Sequence, residues 1–243
     1  MSGFLAHRQR SAEWMDDPAV DPARLGNSLR FLRRLNRYMG YVRATLWYFK
    51  RFSRTWRPGE RIVIADVATG SADIPLAIVR WGRAAGFNVH VVAIDLHEST
   101  VDFARQWTDE PRLLHFARGD ARWLPLADGG VDYAMCNMFL HHLSDADAVA
   151  SIRELNRVAK RGIIVADLIR TWRMYAWTRL ATAASCPIIR HDAITSIMQT
   201  FSRSEAQGLI RAAGVDYAQF REHFGYRFVL AGEKPAFAPA NGR

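Results

Sequence analysis

Apolar residues recur at helical spacing from Leu32 to Phe49 and then gather into short runs after residue 60, so the chain is expected to change style there. Leu32, Leu35, Met39, Val42, Leu46 and Phe49 follow one another at intervals of three and four, which lays them on one face of a helix. Asp21 or Pro22 supplies a start for this helix, and Gly40 is a point where it loosens or breaks. Arg30, Arg33, Arg34 and Arg37 fall off the apolar stripe. Pro58-Gly59 then punctuates the chain. Residues 1–57 are therefore expected to form a helical extension.

Beyond it, apolar runs alternate with amphipathic stretches. Ile62–Ala65, Val89–Ile94, Leu113–Ala117, Val131–Cys136 and Ile163–Ala166 have the length and continuity of strands buried on both faces. Asp73–Gly86, Glu98–Trp107 and Asp145–Lys160 have helical patterns between them, the last with Ser144 as a cap and Gly162 just past its end. The alternation predicts an α/β, Rossmann-like, doubly wound and mostly parallel seven-stranded sheet over 58–234. Residues 169–200 interrupt the rhythm and are expected to be a partly helical insertion after strand 5, on the ligand side. A helix capped by Ser202 or Ser204 runs to Ala213, two last strands lie within Asp216–Glu222 and Tyr226–Ala231, and 235–243 reads as a frayed tail.

Charge sharpens this division. Ten basic residues and no acid stand between Arg24 and Arg57, so this segment carries essentially all of the formal charge of +9. The N-terminus has no long apolar segment of the kind a secretory signal needs, and the two cysteines, Cys136 and Cys186, sit in no metal-binding pattern. A cytoplasmic location is the expectation.

Three motifs carry chemistry. In Ile62-Val63-Ile64-Ala65-Asp66-Val67-Ala68-Thr69-Gly70-Ser71-Ala72-Asp73, a strand ends in an acid and a small-residue turn opens a helix, which lets a ligand approach the backbone. Nucleotide-binding and dehydrogenase turns share this outline. In Val91-Val92-Ala93-Ile94-Asp95-Leu96, the acid at the strand end can accept both hydroxyls of a ribose while Leu96 covers an adenine face. The third is Gly119-Asp120-Ala121-Arg122-Trp123-Leu124-Pro125, followed by Val131-Asp132-Tyr133-Ala134-Met135-Cys136-Asn137. Taken singly, the first two have plainer readings as an ordinary turn and a solvated loop acid. In series, the motifs resemble the class I S-adenosylmethionine (AdoMet) methyltransferases over residues 60–232. The resemblance is strongest to the small-molecule branch that includes ubiquinone, menaquinone and polyketide-type enzymes.

That resemblance implies AdoMet as cofactor. Gly70 with its neighbours Ala68 and Thr69 would border the methionine part, Asp66 would orient the turn or the amino group, and Asp95 and Leu96 would hold the ribose and adenine. Asp120 and Ala121 would meet the adenine amino group, and Asn137 would line the methyl-donor pocket. Ala68 and Ala72 stand where the family usually has glycine.

Displacement at a sulfonium needs an aligned nucleophile and, for an oxygen or nitrogen acceptor, removal of a proton. His141 and His142, after the fourth strand, are the first candidates for a base, and packing against the sheet is the plainer role for each. His191, beside Asp192 in the insertion, is a second candidate. Neighbours in sequence rarely share a proton, so a substrate contact or a solvated loop is expected there rather than a dyad. Asp167 and Arg170 lie on the ligand edge, where a structural ion pair is the common outcome. No carboxylate set accompanies the histidines, so no metal is expected. The aromatic insertion (Trp172, Tyr175, Trp177) and the extension suggest a lid over a small hydrophobic acceptor. A phenol, quinol or polyketide-like aromatic would suit it, with O-methylation favoured over C-methylation and a role in secondary metabolism. The basic helix raises two rivals, an RNA methyltransferase and a peripheral membrane contact. No RNA-binding module precedes the domain, which disfavours nucleic acid. The alanines raise a third, a non-catalytic binding protein that keeps the fold.

Overall fold

A computed structural model describes residues 3, 5–11, 14, 26, 29, 30, 33, 36, 38, 40–185, 187–225 and 227–238. Helix α1 (Tyr41–Phe52) precedes strand β1 (Arg61–Val67), and α2 (Asp73–Ala84), β2 (Asn88–Asp95), α3 (Glu98–Gln106) and β3 (Leu114–Arg118) complete the first half of the sheet. Strand β4 (Val131–Asn137), α4 (Asp145–Val158) and β5 (Ala159–Leu168) begin the second half. Helices α5 (Trp172–Ala181), α6 (Pro187–Gln199) and α7 (Arg203–Ala213) lead to β6 (Gln219–His223) and β7 (Arg227–Glu233). The seven strands lie in the order β3-β2-β1-β4-β5-β7-β6. All pairs are parallel except β5 with β7 and β6 with β7. The sequence expectation of a doubly wound, mostly parallel sheet is met. Its winding reverses between β1 and β4, and a crevice at such a reversal is where open α/β sheets take ligands.

Alternate residues of the central strands feed two cores. Ile62, Ile64, Tyr133 and Met135 pack under α1 and α2. Ala65, Val67, Ala134 and Cys136 pack with α4 and α7 on the other face. Ser144 caps α4 by accepting from the Asp147 amide, and Ser202 forms a reciprocal capping box with Glu205 on α7.

The N-terminal helical pattern breaks at Gly40, whose φ of 80° places it in the left-handed region and makes it the cap of α1. The break also turns the buried stripe. Tyr41, Ala44, Thr45, Tyr48, Phe49 and Phe52 face the sheet, whereas Val42 and Leu46 are only half-buried. Phe52 stacks on Tyr133 with ring centroids 5.3 Å apart, and the Trp56 indole donates to the Tyr133 hydroxyl at 2.9 Å. Arg43, Lys50, Arg51, Arg54 and Arg57 point to solvent. The expected start at Asp21 or Pro22, the stripe residues Leu32, Leu35 and Met39, and Arg34, Arg37, Cys186 and Tyr226 lie outside the described residues.

Gly162 corrects the sequence expectation. It is a residue of β5 rather than the end of α4, and a Cβ there would stand 2.2 Å from the Gly232 carbonyl oxygen of β7. Close approach of two strands, not helix termination, requires glycine at this point. The expected insertion contains two helices, α5 and α6.

Candidate active site

Asp66 sits near the end of β1, and the turn behind it alternates in handedness. Ala68 (φ 56°), Gly70 (φ 53°) and Ala72 (φ 53°) are all left-handed. An L-residue pays roughly 1–2 kcal/mol for that conformation, so two of the three positions are strained. Thr69 holds the turn in place. Its amide donates to the Ile94 carbonyl at 3.0 Å, and its hydroxyl donates to Asp66 Oδ2 at 2.6 Å. Asp95, at the end of β2, accepts from the Gly70 amide at 3.0 Å and from the His97 amide at 3.1 Å. The second motif's acid therefore braces the first motif's turn. Space stands open where a Gly70 side chain would be.

Burial dominates the electrostatics here. It pushes the Asp66 carboxyl up to about 7, against the Thr69 hydrogen bond that favours ionisation, with Asp73 and Asp95 adding to the rise. Asp95 is raised for the same first reason, opposed by the two amides it accepts from. Three carboxyls at one crevice suit a ligand that brings positive charge and hydroxyl donors.

The third motif's acid is already engaged. Asp120 accepts from the Arg122 backbone amide at 2.8 Å and from its guanidinium at 2.6 Å, which holds its carboxyl below the ordinary range. Ala121 is buried beside it, and Leu96 is 48% exposed. Asp132, matched to the same motif, is structural: it accepts from the Val63 amide and from Arg161.

Asn137, at the end of β4, is buried and accepts from the Thr45 hydroxyl of α1 at 2.9 Å. Its Nδ2 is shut off from solvent and has no hydrogen-bond partner among the described residues. The loop that follows opens with Met138, also left-handed at φ 54°. His141 is buried and doubly tied to the fully buried Asp167, ring Nδ1 to Oδ1 at 2.7 Å and backbone amide to Oδ2 at 3.0 Å. The half-buried His142 ring lies 4.2 Å from the His141 ring. Arg170 does not meet Asp167. It is buried against the Leu5 and Thr200 carbonyls and pairs with Glu205 at 2.7 Å.

His191 overturns two expectations. It stands on helix α6 rather than in a solvated loop, and its Nδ1 is 2.9 Å from Asp192 Oδ1. Asp192 is buried and accepts from the Trp14 amide at 2.9 Å through the same oxygen. Trp14 also stacks on the His191 ring at 4.2 Å. The pair docks the N-terminal strand of chain onto the insertion. Arg8 does the same nearby: it reaches the carbonyls of Gln199, His141 and Leu143, pairs with Asp145 and covers Phe201 at 3.7 Å. In the insertion, Tyr175 is buried, whereas Trp172 and Trp177 are 53% and 41% exposed. Sequence reasoning missed Thr45 and Arg8. Thr45 is a polar residue on the buried side of an amphipathic helix, which was a legible signal; Arg8 had none.

A sequence family described as "Methyltransferase domain" matches residues 64–162. A demethylmenaquinone methyltransferase of Staphylococcus saprophyticus is 27% identical over 135 residues, 56% of this chain and 55% of that protein. The chain thus spans about half the length of the curated relatives it matches. Among solved structures, a SAM dependent methyltransferase from Aquifex aeolicus superposes with a TM-score of 0.62 at 20% identity, covering 88% of this chain and 98% of that one. The CurJ carbon methyltransferase superposes with a TM-score of 0.67 at 11% identity, covering 90% and 62%. At these identities the superpositions speak for the fold, and they agree with the strand order. Sequence match, motif order and topology together make this chain similar to the class I AdoMet-dependent methyltransferases.

Proposed function

We propose that the protein transfers a methyl group from AdoMet to a small hydrophobic acceptor of phenol, quinol or polyketide-like type, with oxygen favoured over carbon. The Thr45–Asn137 hydrogen bond carries this reading, because it ties α1 to the strand end expected to border the methyl group. The same face of α1 brings Tyr41 and Tyr48, with Met138 packed nearby, which suits an aromatic guest. Relatives named demethylmenaquinone methyltransferase support a quinol-like acceptor.

The residues present fit the donor. The open face of Gly70 and the carboxyls of Asp66 and Asp95, with the Asn137 amide beside Asp66, offer space and hydrogen-bonding capacity at one crevice. Bound there, AdoMet supplies an already activated methyl group. The chain's own work is alignment and proton removal. Of the three histidines, His141 is favoured as base, since the Asp167 carboxylate fixes its ring through Nδ1 at 2.7 Å and would stabilise the imidazolium formed by proton uptake. His142 backs the ring, and His191 serves docking. Asp120 reaches the adenine only by sharing its carboxylate with Arg122.

Calorimetric titration with AdoMet, with Asp95→Ala as control, tests the donor site. A screen of catechols, phenols and quinols for mass gain of one methyl group tests the acceptor. Absence of product from every aromatic hydroxyl compound would overturn the acceptor class, and a His141→Gln variant with an unchanged pH–rate profile would remove the base. A peripheral contact with anionic lipid through the exposed basic face of α1 belongs to the same reading. No helix among the described residues is long and apolar enough to cross a membrane. Sedimentation with anionic but not neutral vesicles is the expected result.

A further inference from the structure

At the first turn, residues of the N-terminal extension meet Asp73, whose hydrogen bonds the site described above leaves unassigned. Asn36 donates from Nδ2 to Asp73 Oδ1 at 3.3 Å, and the Ser71 hydroxyl donates to the same oxygen at 2.8 Å. The other carboxylate oxygen, Asp73 Oδ2, and the amide oxygen of Asn36 are both closed off from solvent and have no hydrogen-bond partner among the described residues. Two buried acceptors without a donor are an unfavourable arrangement, of the kind that a missing ligand relieves. On the other side of Ser71, the Arg33 guanidinium stands at a long 3.5 Å from the Ser71 carbonyl oxygen, and its carbon lies 5.4 Å from the Trp107 ring centroid. Gly70, next in the turn, leaves open space.

The group has a negative end that needs donors and a positive end that can accept an anion. A zwitterion matches both. We propose that Asp73 and Asn36 take the ammonium, and Arg33 the carboxylate, of the amino-acid end of the methyl donor. The N-terminal extension is then part of the donor site as well as a cover for the acceptor. An ammonium has three donors and meets both orphaned oxygens, and the bidentate fork of arginine suits a carboxylate. The inference rests on the donor reading above.

Two ligands separate the ends. S-adenosylhomocysteine keeps the amino-acid group, whereas methylthioadenosine keeps the adenosine and thioether and lacks it. Equilibrium titration of both into the full chain is expected to show tighter binding of S-adenosylhomocysteine. Arg33→Ala, Asn36→Ala and Asp73→Asn are each expected to weaken that ligand by about 10- to 100-fold, the range of hydrogen bonds to charged groups. Binding of methylthioadenosine should stay unchanged, which also certifies the fold of each variant. Arg33→Lys should recover part of the loss. Equal weakening of both ligands, or of neither, would overturn the assignment and leave the donor reading standing. Wild-type protein that bound neither ligand would overturn both.

Discussion

The half of the molecule from β1 to Leu124, proposed above to bind the donor, and the half built from the N-terminal extension with α5 and α6, proposed as its cap, are held together in opposite ways. In the donor half, partners lie close in sequence or on neighbouring strands: Thr69 with Asp66, Arg122 with Asp120, Gly70 with Asp95. In the cap half they are distant: Arg8 with Gln199, Trp14 with Asp192, Tyr48 with His223, Thr45 with Asn137. The donor half keeps strain and buried charge at its crevice, in Ala68, Ala72 and Asp66. Apart from Arg33 and Asn36, the polar groups named in the cap half serve docking. On the proposed reading, a site that binds a charged donor tolerates local instability, while a cover must be fixed from many directions.

The largest test of that contrast is Arg8→Ala. It removes a buried guanidinium and strands three carbonyls, while its ionic partner Asp145 is exposed, so a loss of about 3 kcal/mol of unfolding free energy is expected in urea titration. A loss under about 1 kcal/mol would mean that the cap does not depend on its N-terminal anchor. Next is Asp66→Asn. The raised carboxyl keeps its proton in the folded chain between its ordinary range and about 7, so the folded state binds more protons there than the unfolded one. Stability should fall as pH rises through that window and level off above it. The substitution should flatten this slope and add about 2–3 kcal/mol at pH 8, measured without ligand. An unchanged pH profile would remove Asp66 as the buried charge. Thr45→Val leaves the Asn137 amide oxygen without its donor inside the fold, and a loss of about 1–2 kcal/mol is expected. The smallest effect is a gain: Ala68→Gly should relieve left-handed strain by about 0.5–1 kcal/mol in thermal unfolding. Ala72→Gly should gain less, because the Ala72 methyl is buried in the core.

The strand-end acids Asp66 and Asp95, the Ser144 and Ser202 caps and the break at Gly40 were all legible, because each is written within a few residues of where it acts. The engagement of Asp120 was not, since nothing in Gly-Asp-Ala-Arg says that the arginine folds back on its neighbour. Gly162 was misread for a related reason. A glycine at the end of a helical pattern looks like a cap, and only the antiparallel approach of β7 shows it as a contact between strands.

Taken alone, the sequence determined the sheet, its order of motifs and the crevice where they converge, because periodicity and turn chemistry are local properties. Tertiary structure decided which polar groups stay available at that crevice. It tied His141 to Asp167 and His191 to Asp192, set Thr45 on Asn137, and left acceptor atoms of Asn36 and Asp73 without donors. Such pairings depend on burial and on distances between residues far apart in the chain, and no pattern along the sequence encodes either.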